Sequence, residues 1–283
     1  MVKKRIVLGL LFLAAGFHLF AQGFARGTGL EIVVEERGGE LVIVSSKGSA
    51  KELVIPDAIN NIPVTAIGDR AFARRELASV TIPDSITAIG IGAFANNNLE
   101  TVVIGSGVDG IGMGAFANNR LTGVTIGENV TEIGKGAFAY NRLAELTIPE
   151  GVATIGDFAF LENKLGAVDF PGSVTYIGRG AFSGNRLSAV VIGSGVREIG
   201  DGAFYNNKIN TVTIPDSLTA LGKRAFDPRI TGRTARGSVN YLDENGAVLY
   251  TTANNFDTYY SRNGGRSGKY NLGKNGWELE NDG

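Results

Sequence analysis

Cysteine is absent from this chain, so no disulfide framework can hold it and no thiolate can ligate a metal or attack a substrate. Histidine is almost absent. The one copy, His18, sits in an apolar N-terminal segment, and without that segment the chain has neither residue. That excludes Ser-His-Asp and Cys-His catalysis, histidine zinc sites and haem ligation by the usual side chains. Paired carboxylates for glycoside hydrolysis stay formally open, but no acidic pair stands out. A strong charge of either sign is missing too: the formal net charge is -1, and removal of Lys3, Lys4 and Arg5 with a leader leaves about -4. A nucleic-acid binder would instead carry a basic domain. Long hydrophobic runs are lacking, since the longest, from Ile6 to about Phe20, includes Gly9, Gly16 and His18. It is short for a membrane span of roughly 20 residues. With its basic start and Ala21 at its end it reads as a secretory signal over residues 1–21, cleaved near Ala21-Gln22 or at Ala25. No cysteine follows it for lipid attachment.

What the chain has instead is a strict period. Phenylalanine recurs every 22 residues at Phe72, Phe94, Phe116, Phe138, Phe160, Phe182, Phe204 and Phe226. In step with it run Ile67-Gly68 through Ile199-Gly200 and the variant Leu221-Gly222, and Leu77-x-x-Val80-x-Ile82 through Ile209-x-x-Val212-x-Ile214. Such a unit cannot bury its apolar face alone, so a period in the twenties implies stacked units, a solenoid. Within one unit, Val80 and Ile82 alternate with Ser79 and Thr81, which predicts a strand with the first pair inward. Pro83-Asp84-Ser85 forms a turn, and Ile86 to Ile89 a second short extended segment on the opposite wall. Gly92-Ala93-Phe94-Ala95 has room for a turn or a short helix carrying one aromatic into the core. The 41 glycines follow from these turns.

The pattern Leu-x-x-Val-x-Ile-Pro-x-x-Val-x-x-Ile-Gly-x-x-Ala-Phe, with Asn61-Ile62-Pro63-Val64-Thr65-Ala66-Ile67-Gly68 leading into it, resembles the BspA-like leucine-rich repeat family of bacterial surface and secreted proteins. The resemblance covers roughly residues 50–230. It departs where the family often has cysteine after Ala-Phe; here that region reads Ala-Asn-Asn or a relative. The resemblance implies a leucine-rich repeat solenoid with a parallel β-sheet and an extended surface for binding or adhesion, and it brings no catalytic residues.

At the ends the period fails. Leu30 to Glu35 and Glu40 to Val44 flank Gly38-Gly39 and predict a β-hairpin that covers the first repeat, within a lead-in of residues 22–52. Residues 53–230 make eight solenoid units. In residues 231–283, Asn245-Gly246, Asn263-Gly264 and Asn275-Gly276 are hairpin-turn signals among seven aromatic residues, from Tyr241 to Trp277. They predict a β-rich tail, either a cap or a separate ligand-binding module.

Two local strings carry little. Gly105-Ser106-Gly107-Val108-Asp109-Gly110 matches GxGxxG but sits inside a repeat and not in a βαβ unit, and Asn129-Val130-Thr131 is a glycosylation sequon by pattern only. Two columns are more informative. Asn97, Asn119, Asn141, Asn163, Asn185 and Asn207 share one position and are expected to satisfy backbone groups with their amides. After them come Asn98, Arg120, Arg142, Lys164, Arg186 and Lys208. Five like charges one unit apart repel by about 0.5–1 kcal/mol per neighbouring pair, so folding alone does not favour them. Their stems can cover apolar surface, with Glu100, Glu145 and Glu162 offsetting charge, or the edge can bind a polyanion such as an acidic glycan or acidic protein segment. A second surface is the outward strand column of Thr81, Val103, Thr125, Thr147, Asp169, Val191 and Thr213, suited to a broad protein contact.

The reading that follows is a non-enzymatic protein, needing no cofactor or metal, exported to the cell surface or secreted, that binds a protein or acidic glycan on a host or bacterial surface. The alternative is a periplasmic scaffold for the cell's own partners.

Overall fold

Each rung of the solenoid is built from β-branched residues held between turn formers. The computed structural model describes residues 29–209, most of 211–226, and the backbone of strand segments at 5–8, 25–26, 238–242, 248–253, 269–273 and 276–280. Corresponding residues of successive rungs lie side by side, so the chain is a β-solenoid with a parallel register of 22 residues. The longest wall pairs Ile62–Ile67, Ala88–Ile89, Gly110–Ile111, Glu132–Ile133, Thr154–Ile155, Tyr176–Ile177, Glu198–Ile199 and Ala220–Leu221 in chain order. This is the wall expected to be secondary, and it is the continuous one.

The strand wall carrying the Val-x-Ile motif is in two pieces. Glu52–Val54, Ser79–Ile82, Thr101–Ile104 and Gly123–Thr125 form the first, and Ala189–Val191 with Thr211–Thr213 belong to the second. Between them residues 145–147 form no strand, and Asp169 makes only an isolated bridge to Val191. The break coincides with two changes in the inward residues. Leu146, half-buried, replaces the β-branched valine, which lowers strand preference. Phe170 replaces isoleucine and turns its ring edge-on to Phe182 and Phe204, at centroid distances of 5.3 and 6.0 Å. That rung therefore packs a larger group than its neighbours and loses continuous strand pairing, while Asp169 keeps the register of 22 with Val191.

The third wall, which bears the phenylalanines, decides between the turn and the short helix expected there: it is made of turns, and no helix occurs among the described residues. The N–H groups of Gly92, Phe94 and Asn96 donate to the carbonyls of Met113, Ala115 and Ala117 on the next rung at 2.8, 2.8 and 2.9 Å. A helix needs those donors for its own carbonyls four residues back, so the two arrangements exclude one another. Two positions in this segment are left-handed on every complete rung, for example Gly92 (φ 59°) and Asn96 (φ 58°), and that also stops a helix.

A column of stacked rings runs through the core beside buried columns of leucine, valine, isoleucine and alanine. Phe72 to Phe226 stand 5.1–5.5 Å apart, centroid to centroid, each fully or almost fully buried. Ile-Gly recurs because the rungs meet at the glycine. A Cβ on Gly134 would lie 2.5 Å from the carbonyl oxygen of Ile111, with no flexible side chain to give way. The same close approach explains Gly105 and Gly107, whose Cβ atoms would meet the backbone of Pro83 and Asp84. The GxGxxG string is a packing feature.

The asparagine ladder is present as expected. Oδ1 of Asn141 accepts from the N–H of Leu121 on the rung before (3.0 Å), and its Nδ2 donates to the carbonyls of Phe116 (2.9 Å) and Phe138 (3.0 Å). Asn97, Asn119, Asn163, Asn185 and Asn207 repeat the arrangement.

At the N-terminal end Glu31–Arg37 and Glu40–Lys47 form an antiparallel hairpin around Gly38 and Gly39, both left-handed. The second strand pairs in parallel with Ile62–Ile67. Arg75 occupies the ladder position of the first rung, and its Nε donates to Ser46 Oγ (2.9 Å), which donates to the carbonyl of Ala71 (2.6 Å). At the other end, backbone strands 238–242 and 248–253, on either side of Asn245-Gly246, pair antiparallel, and the first continues in parallel from Thr211–Thr213. Strands 269–273 and 276–280 pair antiparallel, with Gly273 opposite Gly276. Residues 9–24, which carry most of the expected leader, and Asn263-Gly264 lie outside the described residues.

Candidate functional site

The interior is filled by the apolar columns, so the chemistry available to a ligand stands on the outer faces. Among the described residues no group of three or more His, Asp or Glu is placed to hold a metal ion, and no helix is long and apolar enough to cross a membrane.

The first face is the edge that follows the asparagine ladder. The backbone N–H groups of Arg120, Arg142, Lys164, Arg186 and Lys208 donate to Leu99, Leu121, Leu143, Leu165 and Leu187 of the preceding rung, at 2.9–3.0 Å. Those bonds hold the five residues in one column, one rung apart. All five side chains are exposed, and none joins an ion pair with another described residue. Glu100, Glu145 and Glu162, expected to offset the charge, are exposed nearby and do not pair with them. The column begins at Glu76, which pairs with Lys51 at 3.6 Å, so the acidic first position is the partnered one.

On one side of these cations lie Thr122, Ala144, Gly166 and Ser188, all exposed and none larger than threonine. On the other side are the left-handed positions Asn118, Tyr140, Glu162, Gly184 and Asn206. Tyr140 stands out there. It is a bulky residue at φ 58°, and it is 41% exposed. Partial burial and then the neighbouring Glu162 carboxylate raise its phenol pKa above the ordinary value, so the ring is neutral at any physiological pH. Sequence reasoning passed over Tyr140; the available sign was a tyrosine in a column that is asparagine or glycine on four rungs.

The second face is the strand wall. In register across it lie Val54, Thr81, Val103 and Thr125, with Val54 and Val103 49% and 55% exposed. Ser79, Thr101 and Gly123 form the adjacent column. This patch carries no charge from Thr81 to Thr125 and is bordered by Glu52, Glu100 and Glu145, all exposed. Strand pairing along the expected column is interrupted once. Thr147 lies in the gap of the wall, while Asp169 bridges to Val191 (56% exposed) in the second piece. The side chain of Thr213 lies outside the described residues.

A family model described as BspA type leucine rich repeat region matches six copies across residues 46–165 and 110–233. No curated relative matches the chain. Among solved structures, a leucine-rich repeat protein from Bacteroides ovatus ATCC 8483 is 25% identical over 69% of this chain and 60% of its own, with a TM-score of 0.52. A leucine rich cell surface protein from Faecalibacterium prausnitzii A2-165 is 25% identical over 78% of this chain and 76% of its own, with a TM-score of 0.44. A leucine rich repeat protein of T. pallidum is 23% identical over 65% of this chain and 78% of its own, with a TM-score of 0.43.

Proposed function

This chain belongs to the BspA-type leucine-rich repeat family, and on that premise we propose that it is an exported, non-enzymatic binding protein whose strand wall takes a protein ligand on a host or bacterial surface. The observation that carries the reading is the patch formed by Thr81, Val103, Thr125, Ser79, Thr101 and Gly123, with Val54 beside it. It is uncharged at its centre and acidic at its border. Protein interfaces have that anatomy: charge is depleted where water is excluded and returns at the rim. The residues are also small, so the wall is flat enough for a broad contact. Leader removal near Ala21, the hairpin closing the first rung and the β-rich tail closing the last belong to the same reading. A solenoid that works outside the cell needs both ends covered against strand addition.

Two measurements test it. Protease treatment of intact cells should remove the protein, whereas protection would place it inside the envelope and sink the surface assignment. Purified protein should capture one or more members of a panel of extracellular matrix proteins, and Val103→Lys with Thr125→Lys should lower that affinity at least tenfold, about 1.4 kcal/mol, without loss of the folded state. Undiminished capture by that variant would overturn the strand wall as the binding face.

A further inference from the structure

We infer that the basic edge binds a linear acidic polysaccharide lying along the solenoid axis, its anionic groups on Arg120, Arg142, Lys164, Arg186 and Lys208 and one sugar ring stacked on Tyr140. This ligand is additional to the protein ligand of the strand wall.

Three features converge. The first is charge: five exposed cations that pair with no carboxylate among the described residues stand in one register-locked column. The second is pitch. Rungs repeat about every 5 Å, consistent with the 5.1–5.5 Å between stacked rings. An extended peptide presents side chains on one face only every ~6.6–6.8 Å, so an acidic strand drifts out of step within two or three rungs. One pyranose ring linked through opposite positions advances its chain by close to one rung, and a charge on every ring or every second ring stays aligned. The third is Tyr140. Its left-handed backbone is common to this position on every complete rung, but an exposed aromatic occurs there only at Tyr140 among the described rungs, two residues before Arg142. Sugar rings present C–H faces that pack flat on an aromatic. The lane of Thr122, Ala144, Gly166 and Ser188 leaves room for the chain beside the cations.

The test is titration calorimetry of the purified protein with size-defined heparin, with uncharged dextran and poly-glutamate of matched length as further probes. Heparin should bind, and its affinity should fall at least tenfold between about 0.1 and 1 M salt, as the screening length drops from ~10 to ~3 Å. Replacing all five cations by Gln should abolish salt-sensitive binding. Arg197→Gln, an exposed cation on another wall, should not change it. Tyr140→Asn installs the residue that three other rungs use at this position, so it should keep or raise the melting temperature while binding weakens about three- to tenfold. The proposal is overturned by absence of heparin binding at low salt, by unchanged binding in the fivefold variant, or by tighter binding of poly-glutamate than of heparin. The last result would give the edge to an acidic peptide. Unchanged binding by Tyr140→Asn would remove the stacking platform. The strand-wall variants keep heparin binding under this proposal, so the two readings fail separately.

Discussion

Asn141 joins two rungs with one amide, accepting from Leu121 and donating to Phe116 and Phe138. Asparagine is needed because the site presents one donor and two acceptors, and only a side chain with both functions answers it. Asn141→Asp should destabilise the protein at pH 7 by about 1–3 kcal/mol, because an ionised carboxylate faces two carbonyl oxygens and leaves them unsatisfied. Repulsion from those oxygens raises the folded-state pKa of the new carboxyl above its unfolded value. The stability of this variant is then greatest below the unfolded pKa and is lost as pH rises through the folded one. Urea midpoints at pH 4 and pH 7 should show the deficit relative to wild type shrinking at the lower pH. The six-fold recurrence of asparagine made this role legible before any coordinates, since a buried polar side chain repeated at one period implies a repeated backbone partner. Tyr140 was not legible in the same way, because its meaning rests on a backbone angle and an exposure.

Among the elements, the N-terminal hairpin and the first rung are joined by Arg75, which takes the place of the ladder asparagine and reaches Ser46 instead. Arg75→Ala should cost about 1–3 kcal/mol through the buried groups it leaves unpaired. It should also raise hydrogen exchange in residues 40–47 more than in any later rung, and uniform exchange along the chain would contradict this coupling. The hairpin around Gly38-Gly39 and most strands of the repeat were legible from alternation and turn signals. For the phenylalanine segment the sequence left a turn and a short helix open, and the structure has turns. Ala-Phe flanked by small residues suits a helical turn by propensity, and only the neighbouring rung, by offering carbonyls to alternate N–H groups, decides against it. The gap in the strand wall at Leu146 and Thr147 has a similar origin, since Leu146 and Phe170 each look like tolerable apolar substitutions until the packing of adjacent rungs is seen.

Across the whole molecule, stability is carried from rung to rung by nearest-neighbour contacts. The phenylalanine stack runs unbroken through eight rungs. Phe138→Ala, in mid-stack, should cost about 3–5 kcal/mol. It should also split urea unfolding into two transitions, read by circular dichroism and by hydrogen exchange on either side of the mutated rung. Phe72→Ala, at the first rung, should leave one transition with a local increase in exchange around the hairpin. A single sharp transition in the Phe138 variant would mean that the coil behaves as one indivisible unit.

Period, fold class and the identity of the inward residues were determined by the sequence alone, because a unit of 22 residues with fixed apolar positions has no way to bury them except against copies of itself. The tertiary structure alone decided which walls are continuous, why the aromatic segment is not helical, and which outward residues are free. Those depend on how one rung's hydrogen-bonding groups and side-chain volumes meet the next, and no single rung contains that information.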